Sequence, residues 1–248
     1  MILRRIRLGL TGAAAAAAAL AAFTMPASAQ DGEFLRRQCA NQDRSVPAEM
    51  WIQACTTLMR APGVSDSQLA NLFVNRGNAY RQRGEFGMAI TDYDEAIRLS
   101  PNYANAYNNR GIAYRSAGAP DLAIASFDEA LRADPRFAPA YANRGSAYAD
   151  KRQFDRAIAD FTSAISIAPA PGTFNNRGNA YRATGAYERA LADYNEAIRL
   201  NPQFAPAYNN RGITFREMGN IERAMADFDE AARLDPDNPE YRAFGLRR

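Results

Sequence analysis

The triplet Asn-Arg-Gly occurs five times, at Asn75-Arg76-Gly77, Asn109-Arg110-Gly111, Asn143-Arg144-Gly145, Asn176-Arg177-Gly178 and Asn210-Arg211-Gly212. Successive glycines are 34, 34, 33 and 34 residues apart. A chain with a period of this length folds as a row of like units, each burying its apolar face on the next, rather than around one central core. The rest of each unit keeps the same register. Three residues after each glycine stands an aromatic (Tyr80, Tyr114, Tyr148, Tyr181, Phe215), and twelve after it an alanine (Ala89, Ala123, Ala157, Ala190, Ala224). Sixteen after it comes a second aromatic (Tyr93, Phe127, Phe161, Tyr194, Phe228), and nineteen after it a second alanine (Ala96, Ala130, Ala164, Ala197, Ala231). Apolar residues three and four apart predict two helices per unit. Gly84, Gly118, Gly185 and Gly219 separate them, each suited to the left-handed conformation that ends a helix. The third unit has Arg152 in that place, so its turn is less clearly specified. A proline closes every unit.

This pattern resembles the tetratricopeptide repeat family, with five tandem copies at 70–103, 104–137, 138–170, 171–204 and 205–238. The resemblance implies an all-α fold, a right-handed α-solenoid of antiparallel helix pairs whose first helices line a concave groove. It also implies a protein-binding scaffold rather than an enzyme. One position departs from the family: arginine precedes the glycine in all five copies, where leucine is often found.

The ends differ from the array. Met1 to Ala29 runs from Arg4, Arg5 and Arg7 through an alanine-rich apolar stretch to Ala27-Ser28-Ala29, the order of a secretory signal peptide. Cleavage after Ala29 places the mature chain in the periplasm or outside the cell, with no stable membrane anchor. The segment 30–69 does not repeat. Pro47 to Met59 reads as a helix with Trp51, Cys55, Leu58 and Met59 on one stripe, and Ser65 with Gln68 reads as a capping box opening the first repeat. This segment is expected to cap the apolar end of the array. It holds both cysteines, Cys39 and Cys55, and in an exported chain two cysteines point to a disulfide, with two buried thiols as the other possibility. The tail, 239–248, is too short for a full closing helix. It either folds as a stub or leaves an apolar strip exposed.

Composition narrows the function. The chain has 30 basic and 27 acidic residues, every basic residue but Lys151 being arginine, and it has no histidine. Loss of the leader would leave the two signs balanced, which argues against nucleic acid as a partner. The missing histidine removes the common nucleophile pairs and most metal and haem sites, so no cofactor is expected. Lys151 being the sole lysine, the two-lysine carboxylate clamp of chaperone-binding family members has no counterpart.

Residues that repeat belong to the scaffold or to a surface that reads something periodic. The triplet arginine recurs with Asp92, Asp160, Asp193 and Asp227 sixteen positions on, Ser126 interrupting the series, which predicts a structural Arg–Asp pair within or between helix pairs. The acidic pairs Asp94-Glu95, Asp128-Glu129 and Asp229-Glu230 read as solvated faces. Asn75, Asn109, Asn143, Asn176 and Asn210 need a reason, because asparagine does not favour a helix interior. In similar arrays this position can face the groove, where one acceptor and two donors per amide suit a peptide backbone. With first helices about 10 Å apart and about three extended residues per repeat, five rungs follow on the order of a dozen residues. The same amides are equally suited to bonding neighbouring helices. Arg81, Arg115, Arg182 and Arg216 recur six residues beyond the asparagine, with Ala149 in the middle unit, and suggest two basic patches for carboxylates. The expected function is an exported scaffold binding an extended peptide or protein segment through these residues. The alternative is an assembly subunit that docks or self-associates through its ends.

Overall fold

The computed structural model describes residues 32–41 and 45–241. The leader read at 1–29 and most of the tail lie outside the described residues. Among the described residues twelve helices follow one another up to residue 234: α1 (Gly32–Ala40), α2 (Ala48–Met59), α3 (Asp66–Gln82), α4 (Phe86–Leu99), α5 (Ala104–Ser116), α6 (Pro120–Ala133), α7 (Ala138–Asp150), α8 (Phe154–Ile167), α9 (Pro171–Ala183), α10 (Tyr187–Leu200), α11 (Ala205–Glu217) and α12 (Ile221–Leu234). No strand occurs among the described residues. Each repeat is one helix pair, from α3–α4 through α11–α12, and each pair packs on the next.

Small residues set the spacing within a pair. A Cβ on Gly111 would lie 2.5 Å from the Phe127 ring, and one on Gly77 or Gly178 would lie 2.7 Å from the ring of Tyr93 or Tyr194. The second-helix aromatic therefore seats directly on the bare backbone of the first helix. Tyr93, Phe127, Phe161, Tyr194 and Phe228 are all fully buried there, beside the equally buried alanines of both helices. Overpacking at such a contact costs about 1–3 kcal/mol, which explains why the glycine is kept in every unit. Between the helices, Gly84, Gly118, Gly185 and Gly219 take φ near +80°. Arg152 takes φ 58° in the third unit, so the turn keeps its shape with a residue that tolerates it less well.

The N-terminal segment is a helix pair of its own. Cys39 and Cys55 form a disulfide between α1 and α2, with Cα atoms 4.9 Å apart. Trp51 Nε1 donates to the Cys39 carbonyl at 2.6 Å, and Leu35, Val46, Ala54 and Leu58 pack round the bridge. Ala79 of α3 joins this cluster, so the pair covers the open face of the first repeat. Ser65 and Gln68 form a capping box at the start of α3. At the other end a further helix begins at residue 239, and Tyr241 is buried against Ala205 and Ala231. Among the described residues no helix is long and apolar enough to cross a membrane.

Candidate functional site

The inner face of the array follows from its contacts. The first helices α3, α5, α7, α9 and α11 touch one another in succession, whereas second helices of adjacent repeats make no comparable contact. A stack curves toward the side where its elements meet, so the first helices line the groove.

The triplet arginines do not point into it. Arg76 donates to both carboxylate oxygens of Asp92, at 2.8 and 2.7 Å, and Arg144, Arg177 and Arg211 grip Asp160, Asp193 and Asp227 in the same bidentate way. Arg110 meets Ser126 Oγ at 3.2 Å where the series is interrupted. The pair read from the sequence is thus present, but each arginine does more. Its remaining Nη1 reaches back to the preceding unit: Arg76 to Thr56, Arg110 to Asp94, Arg144 to Asp128, Arg177 to Thr162 and Arg211 to Asn195. Asp94 and Asp128, read as merely solvated, are inter-repeat partners instead. Their position sixteen residues before the arginine was the signal available in the sequence. The carboxylates hold Arg76, Arg144, Arg177 and Arg211 above the ordinary arginine value. Burial pushes the Asp92 carboxyl up in spite of Arg76, so this pair fixes geometry more than it stabilises.

The triplet asparagines lie along the first helices, four of them half-buried and Asn176 exposed. They are not equivalent. Asn143 Nδ2 donates to Asn108 Oδ1 and Asn210 Nδ2 to Asn175 Oδ1, both at 2.9 Å and both across a repeat junction. Asn109 and Asn176 accept only long 3.4 Å contacts from Asn108 and Asn175. The Asn75 side chain has no hydrogen bond among the described residues. Two of the five thus tie neighbouring helices together, and none has all its bonding capacity spent within the scaffold. Asn108, Asn175 and Asn209, one position earlier, are buried.

The four arginines expected to bind carboxylates also divide. Arg115 pairs with Asp150 at 2.5 Å and Arg182 with Glu217 at 2.9 Å, each across a junction. Arg216 lies over the Phe228 ring at 5.8 Å. Two basic patches are therefore too many, because the chain supplies its own carboxylates to Arg115 and Arg182. Arg81 has no acidic partner among the described residues, and its Nε is buried without a hydrogen bond. It borders a cavity of about 550 Å³ at the N-terminal end of the groove, lined by Asn75, Asn78, Gln82 and by Ala40, Asn41 and Trp51 of the N-terminal pair. Tyr93 donates to Asn78 Oδ1 at 2.8 Å on the cavity's inner side, and burial pushes the Tyr93 phenol up to about 12. Among the described residues no cluster of acids and cysteines could hold a metal ion.

Comparison with known proteins agrees with this geometry. Family models described as TPR repeat match residues 77–118 and 178–219, and models described as tetratricopeptide repeat match 104–137, 138–171 and 205–238. No curated protein matches the chain. Among solved structures, MamA is 26% identical over 66% of this chain and 97% of its own, with a TM-score of 0.58. YrrB, described as a TPR protein with an unusual peptide-binding site, is 22% identical over 77% of this chain and 97% of its own, TM-score 0.57. PilF of Pseudomonas aeruginosa is 19% identical over 73% and 83%, TM-score 0.67. At these identities the last two speak for the fold alone. With family models covering most of 77–238 and the helix pairs stacked as that family requires, the chain belongs to the tetratricopeptide repeat family.

Proposed function

We propose that the protein is an exported, non-enzymatic scaffold that holds an extended peptide or protein segment in its groove. One observation carries the reading: an asparagine recurs at the same position of all five first helices, none is fully buried, and donors and acceptors are left over. Such groups suit a peptide main chain and are indifferent to its side chains. The description of YrrB as having a peptide-binding site supports the same use of this fold. Export rests on the leader read at 1–29 and on the Cys39–Cys55 bridge, which persists in an oxidising compartment. Edman sequencing of chain recovered from the periplasm tests it, cleavage after Ala29 being the expected result.

The groove is tested by replacing Asn75, Asn109 and Asn176 with alanine, the three whose amides the scaffold engages least. Retention of partner segments from envelope extract should be lost while circular dichroism stays unchanged. Equal retention would refute the reading.

A second reading has its own observation. Asn108 and Asn175 accept a bond from the next repeat, but the corresponding Asn209 Oδ1 is buried with no partner among the described residues. The C-terminal end thus carries an unused junction group, which favours an assembly subunit docking through that end. A concentration-dependent mass in size-exclusion chromatography, abolished by deleting 239–248, would support it over the groove.

A further inference from the structure

Repeats 1 and 4 carry the same set of groove side chains. In repeat 4, Tyr194 donates to Asn179 Oδ1 at 2.8 Å, Asn176 stands one turn earlier, and Arg182 donates to Glu217 at 2.9 Å. In repeat 1, Tyr93 donates to Asn78 Oδ1 at 2.8 Å, Asn75 stands one turn earlier, and Arg81 occupies the place of Arg182. Glu217 lies 35 residues after Arg182. The residue 35 after Arg81 is Ser116, so the acid is missing. Repeat 4 therefore displays what this arrangement accepts, and repeat 1 displays the arrangement without it.

From this internal pair we infer that the cavity around Arg81 is a carboxylate-binding site for a ligand supplied from outside the chain, either a peptide's terminal carboxylate or an Asp or Glu side chain. The Arg81 guanidinium provides the charge and Asn75 the neighbouring amide. The Tyr93 hydroxyl occupies the oxygen of Asn78, which leaves that side chain's N–H donors for the ligand. The disulfide-held pair closes the other side, through Asn41 and Trp51. Asn41 is itself held by two bonds to the Val46 backbone. The site rests on the groove reading and adds to it a direction: a bound segment is anchored at the N-terminal end of the array by a negative charge.

Trp51 is the chain's single tryptophan and lines the cavity, so its fluorescence reports occupancy. The mature chain is titrated with N-acetylglycine, with neutral N-acetylglycinamide as control. It is then titrated with three alanine–glycine decapeptides: one with a free C-terminus, one amidated, and one amidated with a central Glu. The carboxylate probes should change Trp51 emission where the neutral control does not. A peptide bearing a carboxylate should bind about tenfold more tightly than the neutral amidated one, as a charge-assisted hydrogen bond of the kind Arg182 makes to Glu217 implies. A preference for the free C-terminus identifies the terminal carboxylate as the source, and a preference for the central Glu identifies a side chain. Arg81→Gln should erase the preference, and so should Ser116→Glu, which installs an acid where repeat 4 has Glu217. Glu217→Gln should create a second carboxylate site at Arg182.

Failure of the groove and failure of this site look different. If no decapeptide binds but N-acetylglycine still shifts Trp51, the groove reading falls and the site stands. If all three peptides bind equally, or Arg81→Gln changes nothing, the site falls. The segment 42–44 carries Asp43 close to Asn41 in sequence. A response seen only in Asp43→Asn would mean that the chain fills its own site, and would overturn an external ligand.

Discussion

The junction between repeats 2 and 3 and the junction between repeats 3 and 4 share one backbone plan and differ in almost every polar contact. Across the first run the Asn143–Asn108 bond, the Arg115–Asp150, Arg144–Asp128 and Lys151–Asp121 ion pairs. Across the second, among the described residues, one side-chain hydrogen bond remains, from Arg177 to Thr162 at 3.0 Å. The cause is local: Ala142 replaces the amide acceptor, Ala149 replaces the groove arginine, Thr162 stands where an acid would, and the repeat is one residue shorter. The helices nevertheless stack alike, with Ala157, Phe161 and Ala180 buried together at the poorer junction. Apolar packing therefore builds the array, and polar contacts set how firmly each unit holds its neighbour. In a structure whose stability is a sum of neighbour terms, the 3/4 junction is where it should part first.

The largest test removes the arginine on each side of the comparison. Arg144→Leu leaves Asp160 buried without its cation and frees Asp128, and should lower stability by about 3 kcal/mol in urea unfolding. Arg177→Leu strands Asp193 in the same way but gives up only a neutral Thr162 across the junction. It should cost less by about 0.5–1 kcal/mol, the value of a partly exposed pair. Equal losses would mean that the Asp128 contact contributes nothing and that the two junctions differ less than their contacts suggest.

A smaller test uses one repeat position in two settings. Asn143→Ala leaves the buried Asn108 oxygen without its cross-junction donor and should cost about 1–2 kcal/mol. Asn109→Ala loses a single 3.4 Å contact at a half-exposed site and should change stability by less than about 0.5 kcal/mol. Thermal unfolding of the two variants side by side gives the answer, and matched losses would show that the position, not its partner, matters.

Much of this was written in the sequence because repetition exposes it. The glycine under each aromatic, the turn glycines and the Arg–Asp pairs recur at fixed offsets, and a recurring offset within one unit reads directly as a contact within one helix pair. Contacts between units are harder. Asn143 and Asn109 look identical in register, yet only Asn143 has a partner across the junction, because the residue one position earlier in the previous unit is Asn108 for Asn143 and Val74 for Asn109. Arg115 and Arg182 looked like open cations since Asp150 and Glu217 lie 35 residues away, one past the period. The Arg81 cavity was out of reach for another reason. Half of its wall comes from the non-repeating pair, and a period says nothing about how that pair sits on the first repeat.

The finest test tries to repair the poorer junction. Ala142→Asn places an amide oxygen at the position from which Asn108 and Asn175 receive their neighbours, facing Asn176. Asn176 is exposed and holds only a long contact from Asn175, so it has donors to give. One such bond should add about 0.5–1 kcal/mol at that junction. The gain should appear as slower hydrogen exchange in α9 to α12 relative to α3 to α8, since it is the opening between those two blocks that the bond opposes. Unchanged exchange would say that the missing residue in this repeat has moved Asn176 out of reach, and that the junction is loosened by backbone length as well as by side-chain choice.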